Sequence, residues 1–313
     1  MIRIGVDVGG MTTKAGCVDE KGTIFGKVSC DSNPKRGYEA LIKDIAELAR
    51  ESVSKSGLAM SDITSVGVGI PGIEDAARGI VPFCTNLYWH EVPLRGMLSR
   101  MLEKDVYVGN DATVAALAEH KVGASAGANS SVLVTLGTGV GGGVIIDGKP
   151  FTGAHGVATE IGHTIIKFDG IECSCGNRGC WECYASARAL ISFGRDAARE
   201  HPQCMIAKSV NDIDEISAKT VIDCAKAEDP VAVKLFDDYA FYVAVGLVNL
   251  INTYDPDVIL LGGGVSHAGE FLLEAVKEKL APLIFFKNMK WAELMLATLG
   301  NDAGIIGASM LEA

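Results

Sequence analysis

The chain has 313 residues, 48% of them hydrophobic and 21% charged, and a formal net charge of −11 at pH 7; that suits a globular protein long enough for two domains and excludes a nucleic-acid footprint, because no Lys/Arg cluster offsets the acidic excess. No apolar run approaches the roughly 20 residues of a membrane span, and the N-terminal MIRIGVDVGG is too short, too glycine-rich and too interrupted by Asp7 to be a signal peptide. Nine cysteines, an odd number in a large chain without a targeting segment, read as reduced thiols of a cytoplasmic protein.

The opening reads as a β-meander: strand IRIGVDV, turn GGMTTK, strand AGCVD, turn EKGT, strand IFGKVSC. The stretch 37–57 has helical periodicity, with Leu41, Ile45 and Leu48 on one face and Gly57 as a stop. ITSVGVGI reads as a buried strand ended by Pro71-Gly72, VPLRGMLSRML as a helix, and DVYVGN as a strand. Asp111 is placed as the cap of the helix ATVAALAEHKVG. SSVLVTL, the turn GTGVGG and the strand GVIID then repeat the plan of the opening, about half a chain later. Helices are expected in ASARALISFGRDAARE and from Pro230 to Tyr254, followed by the strand DVILL, the helix GEFLLEAVKEKL, the strand AELMLATL and a last helix from Asp302. Strands alternating with helices mean an α/β protein. Two glycine-turn hairpins half a chain apart suggest two related α/β lobes with a cleft between them.

Four glycine or strand-end motifs are candidates for chemistry. Asp7, Gly9, Gly10 and Thr12 end the first strand in a tight turn whose backbone N–H groups can approach a phosphate, and Asp7 can hold Mg²⁺ through water. Gly137, Thr138 and Gly139 form a second such turn, which is neither a Walker A nor a Rossmann sequence. Gly262, Gly263 and Gly264 follow a strand and precede a helix, which suits part of a nucleotide. In each case tight hairpin geometry or close strand–helix packing is the alternative. Asn110-Asp111 joins a strand end to a helix start. The Asp111 carboxylate is either a cap or, if the strand end faces a ligand, a base for a substrate hydroxyl.

The most specific local feature is CSCGNRGCWE, with Cys173, Cys175 and Cys180 spaced C-x-C-x4-C and His163 ten residues upstream. Three thiols and one imidazole make a closed tetrahedral zinc site, structural because no coordination position stays open. The same stretch carries Glu160 and Glu182. His163 can bind metal through one ring nitrogen and a substrate hydroxyl through the other.

Together these motifs resemble the ROK family of repressors, open reading frames and sugar kinases, whose signature is Gly-His followed by C-x-C-G-x-x-G-C-x-E; here that is Gly162-His163, then Cys173 to Glu182. The resemblance implies an actin-like (ribonuclease H-like) two-lobed ATPase fold with an interlobe cleft and a zinc-binding loop. It implies a smaller lobe of residues 1–112 plus 300–313 and a larger one of 113–299, with the zinc segment at 163–182. Asp7, Gly9, Gly10, Thr12 and Lys14, with Gly137, Thr138 and Gly139, look like phosphate loops. Gly262 to Gly264 look like the adenosine region. Asp111 looks like the catalytic base, while Gly72, Asn110, Asp111, Glu160, His163 and Glu182 look like sugar ligands. His163, Cys173, Cys175 and Cys180 match the zinc ligands. One departure is Met11, where the family usually has Thr.

The resemblance thus implies an ATP-dependent kinase for the 6-hydroxyl of glucose or a close relative, using Mg²⁺ and a structural Zn²⁺, with sugar binding expected to close the lobes and expel water. An N-acetylglucosamine or N-acetylmannosamine kinase is the alternative, and a non-catalytic sugar-binding regulator a further one. A DNA-binding repressor is disfavoured by the charge and by the first strand beginning at residue 2. A homodimer or homotetramer is expected by resemblance.

Overall fold

The computed structural model describes residues 1–312. By compactness the chain divides into one unit of residues 1–133, 143–159 and 298–313, and another of 134–142 and 160–297.

The first unit starts with an antiparallel meander: β1 (Ile2–Val8), β2 (Thr12–Val18) and β3 (Ile24–Asp31). Then come α1 (Tyr38–Lys55), β4 (Ile63–Ile70), the short strands β5 (Ile73–Asp75), β6 (Ile80–Cys84) and β7 (Trp89–Val92), α2 (Leu94–Leu102), β8 (Asp105–Asn110) and α3 (Asp111–Val122). The main sheet has the order β3-β2-β1-β4-β8, with β1, β4 and β8 parallel. Alternation along β1 assigns its two faces. Ile4, Val6 and Val8 join Leu41, Ile45, Leu98 and Val68 in a buried cluster under α1 and α2. Gly5 and Gly67 face the other way. A Cβ on them would come within 1.8 Å of the Ile305 carbonyl oxygen and 1.7 Å of that of Ala308. The C-terminal helix therefore lies directly on the sheet backbone, where only glycine fits.

The chain continues through β9 (Ser130–Leu136), β10 (Val140–Ile146) and β11 (Lys149–Pro150), then α4 (Glu182–Ala185), α5 (Ala187–Glu200), α6 (Met205–Lys208), α7 (Ala218–Lys226) and α8 (Pro230–Tyr254). β12 (Val258–Gly262), α9 (Glu270–Leu280), β13 (Glu293–Leu296) and α10 (Ala303–Ser309) complete it. The second sheet has the order β11-β10-β9-β12-β13, and the division into units cuts β9 and β10. In the second unit α8 is the central helix, packed by α4, α5, α7 and α9. It starts as its sequence dictates: Asp229 accepts the Ala232 N–H at 2.9 Å and Pro230 occupies the first turn, where no amide is missed.

Several expectations need correction. Thr12 to Lys14 belong to β2, because Asp7 and Val8 pair with Lys14 and Thr13 and shorten the turn to residues 9–11. Helix α2 begins after Pro93; Trp89–Val92 is a strand of the three-stranded sheet β5-β6-β7, whose strands are too short for periodicity to reveal. The Gly262–Gly264 turn leads into a 3-10 segment, Gly264–Ala268, before α9 begins. By compactness α3 falls in the first unit, where Ala118 packs on Ala303 and Ile306 of α10.

Candidate active site and metal centre

In the first unit the parallel strands deliver the candidate residues to one edge. Register pairs Asp7 with Gly69 and Ile70 with Asn110, so the carboxyl ends of β1, β4 and β8 lie side by side, where open α/β sheets gather ligands. Asp7 is partly buried, and burial pushes its carboxyl above the usual range while the Lys14 ammonium, 4.0 Å away, opposes the shift. The turn after it is held from a distance. Gly9 N–H donates to the Thr12 carbonyl at 2.9 Å, Ser32 N–H donates to the Met11 carbonyl at 2.8 Å, and Ser32 Oγ donates to the Gly9 carbonyl at 2.6 Å. Ser32 is a buried organiser that sequence reading missed. Met11 is 86% exposed, so the methionine packs against nothing that fixes the turn.

The cap of α3 is Asn110, not Asp111. Asn110 has extended backbone angles, and its Oδ1 accepts the N–H groups of Ala112 at 3.0 Å and Thr113 at 3.1 Å. Asp111 is the first helical residue, its Oδ1 accepting the Ala112 N–H at 2.8 Å. Both residue types cap helices, so composition could not choose between them. The correction matters chemically, since the Asp111 carboxylate is not consumed as the N-cap. Asn110 Nδ2 donates to the Gly72 carbonyl at 3.1 Å. Gly72 has φ +90°, and a Cβ there would sit 2.6 Å from the Phe83 carbonyl oxygen, so the loop after β4 requires glycine at this point.

In the second unit the other two glycine turns meet. Gly137 N–H donates to the Gly139 carbonyl at 3.0 Å. Gly263 lies against the end of β9, where a Cβ would come within 2.7 Å of the Leu136 backbone. The Gly137 carbonyl accepts the Ala187 N–H at 2.7 Å, and Arg188 Nε donates to the Thr138 carbonyl at 3.3 Å, which ties the second turn to the start of α5.

The cysteines and His163 converge. One ligand atom from each of His163, Cys173, Cys175 and Cys180 lies within 4.8 Å of every other. Cys173 Sγ is 3.7 Å from His163 Nδ1, and Cys175 Sγ is 3.6 Å from Cys180 Sγ. Zinc–sulfur bonds of about 2.3 Å at tetrahedral angles space the donors by about 3.8 Å, so the donor set fits zinc in chemistry and dimensions. Without a cation the thiols hinder one another. Burial and the neighbouring sulfurs push Cys180 up to about 12, while the Asn177 N–H pulls Cys175 down to about 7. A divalent ion removes that conflict.

Glu182 sits beside the cluster. Its Oε1 accepts from Cys173 Sγ at 3.3 Å and lies 3.9 Å from His163 Nδ1. Glu160 is exposed immediately before the 3-10 turn Ile161–His163, and its carbonyl accepts the His163 N–H at 3.0 Å. The turn presses on β10, where a Cβ on Gly162 would be 2.1 Å from the Val140 carbonyl oxygen; this is why glycine precedes the histidine. Trp181, between Cys180 and Glu182, is fully buried and donates Nε1–H to the Tyr242 carbonyl at 2.8 Å. Its indole occupies the space above Gly246 of α8. This anchor was missed, although a lone glycine inside a 25-residue helix is a signal of close packing.

The ROK family profile matches residues 3–313. The chain is 36% identical over 309 residues to a glucokinase of Halalkalibacterium halodurans, covering 98% of this chain and 94% of the relative. It is 36% identical to a glucokinase of Thermotoga maritima, covering 98% and 96%. A crystal structure of a ROK family glucokinase from Streptomyces griseus, in complex with glucose and AMPPNP, superposes with a TM-score of 0.83 at 34% identity, covering 99% of this chain and 98% of that one. With signature, fold and whole-length similarity in agreement, the chain belongs to the ROK family.

Proposed function

We propose that this protein is an ATP-dependent hexose kinase that phosphorylates the 6-hydroxyl of glucose. The observation that carries the reading is the similarity, over almost the entire chain, to glucokinases and to a structure holding glucose with an ATP analogue. It is supported by a carboxylate, Asp111, standing at the carboxyl edge of a parallel sheet beside an asparagine that already performs the capping.

In this reading Asp111 accepts the proton of the 6-hydroxyl as that oxygen attacks the γ-phosphorus of ATP. Asn110 and the Gly72 loop orient the sugar, and Glu160, His163 and Glu182 bind its hydroxyls. The turn at Gly9 and Gly10, with Thr12 and Lys14, and the turn of Gly137, Thr138 and Gly139 hold phosphates; Gly262 to Gly264 approach the nucleoside. Mg²⁺ accompanying ATP neutralises developing phosphate charge, and a cation near Asp7 offsets the burial cost of that carboxylate. His163, Cys173, Cys175 and Cys180 hold zinc as a structural clamp that keeps Glu182 and the imidazole in place. None of the nine cysteines is paired in a disulfide, which suits a reducing, cytoplasmic setting, and no helix among the described residues is long and apolar enough to cross a membrane.

The direct test is a coupled ADP-release assay with ATP and a panel of glucose, mannose, fructose, allose, N-acetylglucosamine and N-acetylmannosamine. Glucose is expected to give the highest kcat/KM. A higher value for an N-acetylated sugar would transfer the assignment to hexosamine kinases.

A further inference from the structure

The turn Gly137–Gly139 touches two charged side chains of its own unit. One is Glu182: a Cβ on Gly139 would come within 2.5 Å of its Oε2. The other is Arg188, whose Nε donates to the Thr138 carbonyl at 3.3 Å, beside the Ala187 N–H that donates to the Gly137 carbonyl at 2.7 Å. Arg188 is exposed, and among the described residues its Nη groups have no hydrogen-bond partner and it forms no ion pair. Its place in the helix makes that isolation informative. Arg188 is the second residue of α5, after the cap Ser186, whose Oγ accepts the Ala189 N–H at 3.1 Å. The first turn of a helix favours anions, so a cation there opposes the helix dipole, and no acidic residue in that turn offsets it. A charge set against a local rule, with no structural compensation, marks a functional position.

We propose that Arg188 binds the β- and γ-phosphates of ATP, a role that rests on the kinase reading and extends it. The guanidinium, the start of α5 and the glycine turn share one requirement, an anion beside them. The Nε bond to Thr138 holds the base of the guanidinium at the turn and leaves its Nη groups for phosphate oxygens, the fork geometry in which arginine recognises phosphate. Charge balance points the same way. Glu182 already brings a carboxylate to the turn, and a phosphate arriving there is repelled unless a cation stands close by. Lys14, the other cation given to phosphate, lies 4.0 Å from the Asp7 carboxylate in the first unit and is partly engaged there. Contact with Glu182 also fixes which phosphates are meant. Glu182 is a sugar ligand in the kinase reading, so a turn touching it serves the transferred end of the phosphate chain and not the nucleoside end.

The experiment is titration calorimetry of the full-length, zinc-loaded protein with ADP, AMP and glucose in the presence of Mg²⁺, alongside the KM for ATP from ADP release. Arg188→Gln keeps a donor for the Thr138 carbonyl and loses the charge; Arg188→Lys keeps the charge. Arg188→Gln should raise the ADP Kd and the ATP KM at least about tenfold, while the Kd values for AMP and glucose stay within about twofold of the wild type. Arg188→Lys should fall between the two, since a point charge replaces the fork. The weakening of ADP binding by KCl should be shallower in Arg188→Gln than in the wild type. Its Tm should equal or exceed that of the wild type, because the conflict with the helix dipole is gone. An unaltered ADP Kd in Arg188→Gln, equal losses for ADP and AMP, Arg188→Lys no better than Arg188→Gln, or a lowered Tm would overturn the proposal. With a wild type that turns over glucose and ATP, any of these leaves the kinase reading standing; a wild type that binds no ADP removes both.

Discussion

Asn110 holds Gly72: the asparagine Nδ2 donates to the glycine carbonyl at 3.1 Å while its Oδ1 caps α3. One side chain therefore fixes both the helix that begins with Asp111 and the loop that follows β4. The two jobs can be separated. Asn110→Asp keeps an oxygen for the cap but loses the donor to Gly72, so stability should change by less than about 1 kcal/mol while the KM for glucose rises at least tenfold. Asn110→Ala loses both and should cost about 1 kcal/mol in addition. Urea unfolding and steady-state kinetics on the two variants check this. Equal KM values in Asn110→Asp and the wild type would remove Asn110 from sugar orientation.

Asp7 predicts a pH-dependent stability. Burial raises its carboxyl above the ordinary range near 4, against the smaller opposing effect of Lys14. A carboxyl with a raised folded-state pKa contributes stability below its unfolded pKa and loses that contribution as pH rises through the folded value. Asp7→Asn should therefore raise Tm at pH 7 to 8, and the gain should shrink as pH falls towards 4. The same variant should lose activity, as expected where a functional charge is kept at the expense of stability. Thermal melts of both proteins across pH 4 to 8 test the sign.

Gly246 sets helix propensity against packing. Alanine is the better helix former by up to about 1 kcal/mol. A Cβ at Gly246, however, would lie 1.9 Å from the buried indole of Trp181, which has no room to withdraw. Packing should win, with Gly246→Ala destabilising by about 1–3 kcal/mol. Since Trp181 follows Cys180, a proposed zinc ligand, the variant should also release zinc faster to a chelator. Urea midpoints and zinc release followed with a chromogenic chelator measure both effects.

The metal centre predicts a stoichiometry. Purified protein should contain about one zinc per chain by elemental analysis. Cys175→Ser, at the exposed ligand, leaves packing intact, yet should bring zinc close to zero and lower Tm by about 5 °C or more. Its KM for glucose should rise more than its KM for ATP, because Glu182 and His163 are the groups the clamp holds. Substoichiometric zinc in a fully active preparation would contradict the structural role.

How much of this was legible in the sequence follows the range of the interactions. The Cys/His cluster was readable because its ligands are close in the chain and chemically distinctive. The parallel strands and long helices were readable because hydrophobic periodicity reports burial directly. The missed features depend on partners distant in sequence: Ser32 holding the turn at Gly9, Trp181 on Gly246, and α10 on Gly5 and Gly67. The Asn110-Asp111 pair failed for another reason. Either side chain can cap a helix, and only the backbone angles at 110 reveal which one does.

The most direct test of the central claim is Asp111→Asn, with glucose affinity measured by titration calorimetry and turnover by ADP release. The predicted result is a glucose Kd within a few-fold of the wild type and a kcat reduced by at least ~10². Turnover close to the wild-type value would contradict the assignment of Asp111 as the base that takes the proton from the sugar hydroxyl.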